Sequence, residues 1–264
     1  MQYQIKILLL SFVITIITSL AIIPILKKLK VGQMERTEGP QSHLGKQGTP
    51  TMGGIIMILV ITVLTGFLCY DYIKDNQSSV AKNLIPIAAV SIGFGLVGFI
   101  DDFKKLVLKN TEGLKPLYKM IGLLIFSVAF VLYITKVLNI GTETYIPFIK
   151  TYFTLPVWLY IPFAILVLLG TSNAVNLTDG IDGLATSVTA LILTCLTVIG
   201  IIFNIKEIVV FGSITIGTCL GFLLFNLNPA KIFMGDTGSL MLGGAVAGMA
   251  LYLKMPLLLL IIAL

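Results

Sequence analysis

Apolar residues run through this chain in long, nearly unbroken stretches, without the alternation of a half-buried strand or the one-sided stripe of a soluble helix. A helix needs about 20 apolar residues to cross a bilayer. Windows that reach or approach this length run from Ile5 to Leu26, Gly53 to Tyr72, Leu84 to Ile100 and Met120 to Thr135. Others run from Leu155 to Val175, Leu184 to Phe203, Ile208 to Phe225 and, rich in glycine, Ser239 to Leu253. A ninth opens at Pro256 and stops at Leu264. Its nine residues would rise only about 13 Å, less than half the hydrocarbon core. The pattern predicts an all-α, polytopic integral membrane protein with about nine transmembrane helices. Residues 1–264 are expected to form a single transmembrane domain, truncated in the ninth helix. Between the fourth and fifth windows, Asn139 to Thr154 mixes Tyr, Thr, Ile and Phe with Gly141 and Pro147, which predicts a short hairpin.

Composition agrees. Hydrophobic residues make up 57% of the 264 and charged residues 11%, and the mean hydropathy is +1.02. Soluble domains carry roughly 25% charged residues, so a soluble enzyme, a disordered chain and a nucleic-acid-binding domain are excluded as classes. The first window follows only Lys6 and has no small-residue cleavage site after it, so it reads as a spanning helix rather than a removable signal. Cys69, Cys195 and Cys219 all fall inside apolar windows and read as small hydrophobes, not as a disulfide framework or zinc site.

Alternating the spans sorts the linkers onto two sides. One side gathers Lys27, Lys28, Lys30, Arg36, Lys46, Lys104, Lys105, Lys109, Lys115, Lys119 and Lys231, the larger share of the 18 basic residues. The positive-inside rule puts that side in the cytoplasm and the N-terminus outside, and the net charge of +6 suits anionic head groups. Most carboxylates lie on the same side, among them Asp101, Asp102, Asp179, Asp182 and Asp236. Topology accounts for the lysines but not for this gathering of acids.

Four segments on that side carry candidate chemistry. In Gly39 to Gly54, Thr49-Pro50 reads as an N-cap followed by proline at the first helical position. A helix N-terminus preceded by His43 and Lys46 would suit a phosphate; a capped helix after a flexible loop is the plain alternative. Next, Asp101-Asp102 ends the third window, where the helix dipole disfavours negative charge. An i, i+4 pair of Asp101 with Lys105 gains only about 0.2–0.5 kcal/mol, too little to explain two acids there. Paired aspartates are good Mg²⁺ ligands.

The third segment is Asn173-Ala-Val-Asn176-Leu-Thr-Asp179-Gly180-Ile-Asp182-Gly183. Polar groups recur every three residues, and Gly180 and Gly183 are where the helix can break so that all four converge. The fourth runs from Asn226 to Ser239, with Asp236 between Gly235 and Gly238, and Phe233 placed to stack on a flat ring. Asp236 or Ser239 could equally cap the eighth helix. Acidic clusters, a basic glycine loop and an aromatic at one membrane edge suit Mg²⁺-assisted phosphoryl transfer. No Walker loop is present, which argues against a nucleoside triphosphatase. An ion-coupled transporter is the competing class, but transporters place their acids near the midplane.

The stretches Ser42-His-Leu-Gly-Lys46-Gln-Gly-Thr-Pro-Thr51-Met-Gly-Gly-Ile55 and Ser172-Asn-Ala-Val-Asn-Leu-Thr-Asp-Gly-Ile-Asp-Gly-Leu-Ala185 resemble the polyprenyl-phosphate N-acetylhexosamine-1-phosphate transferases. The likeness runs from about Glu38 to Leu242 and is nearest to the branch that handles muramoyl-pentapeptide. It implies a ten-helix enzyme of the bacterial inner membrane. Such an enzyme moves phospho-MurNAc-pentapeptide from UDP-MurNAc-pentapeptide to undecaprenyl phosphate, giving lipid I and UMP with Mg²⁺. The sister enzymes that use UDP-GlcNAc are the runner-up. By motif position the resemblance implies Asp236 and Asn176 at the metal, and Asp101, Asp102, Asp179 and Lys105 as catalytic residues, with Asp101 the candidate base. Lys46, Thr51, Asn173, Asn176, Asp182, Asn226, Phe233 and Gly235 would bind substrate. Relatives are often dimers, so a homodimer is expected, with no nucleic-acid partner. One departure stands out: the family's His-rich motif between its ninth and tenth helices has no counterpart before Leu264. A protein lacking that loop would be expected to turn over weakly or not at all.

Overall fold

The structure, a computed structural model, describes residues 2–29, 49–106, 108 and 113–262. Each of the first eight apolar windows becomes a helix, because in hydrocarbon every backbone donor and acceptor must be satisfied within its own segment. In chain order these are α1 (Gln2–Lys28), α2 (Gly54–Lys74), α3 (Ser78–Leu106) and α4 (Pro116–Leu132), which continues through a π turn at Tyr133–Val137. Then follow α5 (Val157–Thr178), α6 (Leu184–Ile202), α7 (Lys206–Asn226) and α8 (Gly235–Tyr252). A 3₁₀ turn, Pro256–Leu258, leads into α9 (Leu259–Ile262). Among the described residues, seven helices, α1 to α7, are long and apolar enough to cross a membrane. The chain is thus a multi-pass, all-α membrane protein.

The predicted hairpin forms between α4 and α5. Strands β1 (Glu143–Ile146) and β2 (Thr151–Thr154) pair antiparallel, with Glu143 opposite Thr154. It is tied to the segment after α8 by the Tyr145 amide, which donates to the Lys254 carbonyl at 2.8 Å, and by a Lys254–Glu143 ion pair at 2.7 Å. Nearby, Glu207 at the start of α7 accepts from Asn83 Nδ2 at 3.0 Å and from the Tyr252 hydroxyl, joining α3, α7 and α8 at this end of the bundle.

Helix α8 occupies the centre. Sixteen of its 18 residues are buried, and α2, α3, α5 and α6 pack around it. Its Gly- and Ala-rich sequence is less apolar than a lipid-facing span needs, but small residues let backbones approach closely. A Cβ on Gly54 would overlap the Gly238 backbone, and one on Gly98 would overlap the Asp236 carbonyl. Between α1 and α7 the same logic inverts the soluble pattern. Ser11, Thr15 and Ser19 are buried between Ile7 and Ile23 on the same face, with Ser11 against Gly217 and Thr15 against Gly221, while Ile17 and Leu20 face outward at 61% and 60% exposure. Thr15 bonds its own helix, donating to the Ser11 carbonyl at 2.7 Å.

One expectation fails at α2. Thr49 is not its N-cap, and Pro50 is not its first residue: the helix begins at Gly54. Residues 50–54 instead run beside the segment before α8. Phe233 N–H donates to the Pro50 carbonyl, Gly53 N–H to the Phe233 carbonyl and Gly54 N–H to the Met234 carbonyl, each at 2.9 Å. The next two amides, Ile55 and Ile56, donate to Met52 and Gly53. The start of α2 therefore offers no free amides for a phosphate, because backbone pairing has taken them.

Candidate active site

The ends of α3, α5 and α7 and the beginnings of α2, α4, α6 and α8 meet at one end of the bundle. α3 reaches this end because its 29 residues span about 43 Å at 1.5 Å each, more than the hydrocarbon core. Its last turns therefore carry Asp101, Asp102 and Lys105 out to the boundary. α5 stops at Thr178, residues 179–183 form a turn, and Gly183, at φ +74°, starts α6. The break falls where the two glycines allow it.

Together these ends enclose a cavity of about 380 Å³, lined by residues that include Thr51, Asp102, Lys105, Asn176, Asp179, Asp182, Asn226, Phe233, Gly235 and Asp236. One carboxylate oxygen from each of Asp101, Asp102 and Asp236 lies within 4.8 Å of the others. Lysines interleave them. Lys105 Nζ lies 2.5 Å from Asp101 Oδ2 and 3.2 Å from Asp236 Oδ2. Lys119 Nζ, from α4, lies 2.9 Å from the same Asp236 oxygen. Asn176 completes the cluster. The amide orientation that satisfies its neighbours donates to Asp236 Oδ1 at 3.0 Å and to Ser239 Oγ at 2.9 Å, and accepts from Lys119 Nζ at 3.2 Å.

Several acids already have work within the protein. Asp101 is 2% exposed and lies behind the cavity wall, where Oδ1 accepts from the Leu114 amide at 2.7 Å. Asp102 accepts from the Asp236 and Thr237 amides at 3.3 and 2.9 Å and from the Thr237 hydroxyl at 2.6 Å. Asp182 accepts from the Ala230 amide at 3.2 Å, holding the α7–α8 connection. Asn226 braces that connection too, donating to the Ile232 carbonyl at 3.0 Å and accepting from Thr186 at 2.8 Å. Asp179 stands just past α5. Burial, then the like charges of Asp236 and Asp102, push its carboxyl up to about 7, against a backbone hydrogen bond from Gly235 that pulls it down. Near neutral pH it can exist in either form, and a cation in the cavity would favour the ionised one.

The structure thus brings together ten of the residues the sequence singled out and sets Asp101 just behind them. It does not bring Asn173 to the cavity: that amide sits a turn earlier on α5 and donates to the Leu169 carbonyl at 2.7 Å. Lys46 and His43 lie outside the described residues. Lys119 was missed as a site residue. From sequence it is one of many lysines on its side, and only its position four residues into α4, opposite Asp236, sets it apart.

The donor set fits Mg²⁺: carboxylates and an amide, all hard oxygen ligands, with room for water and phosphate oxygens. A cation between Asp236 and Asn176 would need the Asn176 amide turned, so that its oxygen faces Asp236.

Fold and site define a class, a multi-pass membrane protein with an oxygen-rich, lysine-flanked centre at one end of its helices. The sequence profile of glycosyl transferase family 4 matches residues 84–254, and signature 1 of phospho-N-acetylmuramoyl-pentapeptide-transferase matches residues 46–58. A phospho-N-acetylmuramoyl-pentapeptide-transferase of Acetivibrio thermocellus is 44% identical over 96% of this chain and 74% of its own length. Relatives of the same name from Halalkalibacterium halodurans and Clostridium beijerinckii are 45% and 46% identical, each over 97% of the chain and 76% of the relative. The chain belongs to glycosyl transferase family 4 and, within it, to the phospho-N-acetylmuramoyl-pentapeptide-transferases.

Proposed function

We propose that the chain transfers phospho-MurNAc-pentapeptide from UDP-MurNAc-pentapeptide to undecaprenyl phosphate, forming lipid I and releasing UMP, in the bacterial inner membrane. The reading includes Mg²⁺ as cofactor and a homodimer as the working assembly. The single observation that carries it is the meeting of Asp236, Asn176, Asp179 and Lys105 in one cavity, with Lys119 paired to Asp236, in a chain of this family. An oxygen of the lipid phosphate attacks the sugar-bearing phosphorus of the nucleotide, and the bond from that phosphorus to the UMP oxygen breaks. Bound by Asp236 and Asn176, Mg²⁺ would neutralise charge on the diphosphate. Lys105 and Lys119, which now share Asp236, would turn toward phosphate oxygens. Asp179 and Asp182 line the same wall, and Phe233, with Gly235 beside it, is placed to stack on the uracil ring. No strong base is required, since a phosphate monoester is largely ionised at pH 7. Asp101, bonded to Lys105 and Leu114, would hold Lys105 in place.

A lipid acceptor needs an apolar seat beside this cavity. One exists: a groove of about 560 Å³ between α5, α6 and residues 256–260, with Thr178, next to Asp179, in its wall. Gly170 lines it, and a Cβ there would meet nothing within 4 Å. Gly170→Trp should fold normally and fill the groove. The apparent KM for undecaprenyl phosphate should rise about tenfold or more, with the KM for the nucleotide unchanged; equal effects on both would remove the groove from the account.

Membranes carrying the full-length gene product, given undecaprenyl phosphate and either UDP-MurNAc-pentapeptide or UDP-GlcNAc, test the reading as a whole. Mg²⁺-dependent UMP release with the muropeptide nucleotide alone is the expected result. Equal turnover with UDP-GlcNAc would defeat it.

A further inference from the structure

We propose that Asp102 is a positioning residue: from α3 it caps the first turn of α8, fixing the backbone of Asp236, and it touches neither cation nor substrate. Its functional consequence rests on reading Asp236 as the cation ligand; the capping itself does not.

A helix begins with amides that have no partner in their own ladder, and a side-chain oxygen from the preceding residue usually takes them. α8 has no such cap, since Met234 stands at its N-cap position and makes no side-chain bond. Asp102 supplies one from another helix. Its carboxylate accepts from the amides of the second and third residues of α8, Asp236 and Thr237, at 3.3 and 2.9 Å, and from the Thr237 hydroxyl at 2.6 Å. A carboxylate offers about four acceptor positions, so little remains for a cation. The negative charge also sits at the positive end of a helix, where the dipole favours it.

Two glycines show that the fit is close. A Cβ on Gly235, itself at φ +73°, would lie 2.6 Å from Asp102 Oδ2. Gly98, one turn before Asp102, lets the α3 backbone lie against the Asp236 carbonyl. Both the amide and the carbonyl of Asp236 are therefore set by α3, leaving its side chain aimed at Lys105, Lys119 and Asn176.

Hydrogen exchange on the full chain in lipid nanodiscs reads the cap directly. In Asp102→Ala, the Asp236 and Thr237 amides should exchange at least tenfold faster, with the middle of α8 unchanged. Thr237→Val, which removes the hydroxyl donor but leaves Asp102 in place, should move the same amides less, and Thr237→Ser should restore them. Mn²⁺ affinity should fall about tenfold in Asp102→Ala and less in Thr237→Val, and the double variant should be no worse than Asp102→Ala. Unchanged exchange in Asp102→Ala overturns the proposal; if that variant does not fold, native exchange in Thr237→Val overturns it. Additive losses of Mn²⁺ affinity also overturn it, because a direct ligand acts independently of Thr237. Faster exchange with unchanged Mn²⁺ affinity would leave the cap standing and remove Asp236 from the cation site.

Discussion

Asp236→Asn should lower turnover on the order of 10³-fold or more while the protein stays inserted and folded. The substitution keeps the shape of the side chain and removes its charge. That charge is the point at which Lys105, Lys119 and Asn176 converge, at 3.2, 2.9 and 3.0 Å. A neutral amide binds a divalent cation far more weakly than a carboxylate and leaves two ammonium groups facing each other without the anion between them. The thermal midpoint should therefore fall modestly as well. UMP release and a thermal melt on the same preparation separate the two effects. A fully active variant would strip Asp236 of its role; a variant that fails to insert would call for Asp236→Glu, which keeps the charge on a longer arm.

Gly98→Val should damage both the fold and the site. A Cβ at Gly98 would overlap the carbonyl of Asp236, and a backbone atom at the centre of a packed bundle cannot swing aside as a flexible side chain can. Overpacking of this kind costs about 1–3 kcal/mol, and here it must push α3 from α8, pulling Asp102 away from the amides it caps. The expected result is a thermal midpoint lower by several degrees and a loss of activity larger than the loss of folded protein. Gly66 is the control, since a Cβ there meets nothing within 4 Å. Gly66→Ala should match or slightly exceed the native stability, because alanine is the better helix former. Equal behaviour of the two variants would mean that the contact between α3 and α8 does not set the site.

Much of this arrangement is legible in the chain itself. Hydrocarbon leaves an apolar run of about 20 residues no choice but helix, so seven spans among the described residues and the hairpin at 143–154 follow from pattern alone. The break at Gly180 and Gly183 follows from backbone freedom. The faces are not legible in the same way. Where the solvent is lipid, apolar side chains can point outward, and the packing surface of α1 includes Ser11, Thr15 and Ser19 beside Ile7, Ile23 and Leu26. A soluble-protein reading would expose all three. The start of α2 was misread because a Thr-Pro pair looks the same whether it caps a helix or precedes a segment paired to residues 233–234. Asp102 shows how a local rule can be right about a tension and blind to its solution. Two acids at the C-terminus of α3 are unfavourable there, and one is stabilised by the N-terminus of a helix more than 130 residues later in the chain. Lys119 could not be told from its neighbours because its partner, Asp236, lies 117 residues away in sequence. Polar residues that converge through tertiary packing leave only their type and side of the membrane in the sequence.

The central claim is that Asp236 and its neighbours form one divalent-cation site, and Mn²⁺ binding followed by electron paramagnetic resonance tests it most directly. The protein in nanodiscs should bind a single Mn²⁺ that Mg²⁺ displaces, and Asp236→Asn should abolish that binding while Glu143→Gln, at the hairpin, leaves it intact. Undiminished Mn²⁺ binding in Asp236→Asn would contradict the account.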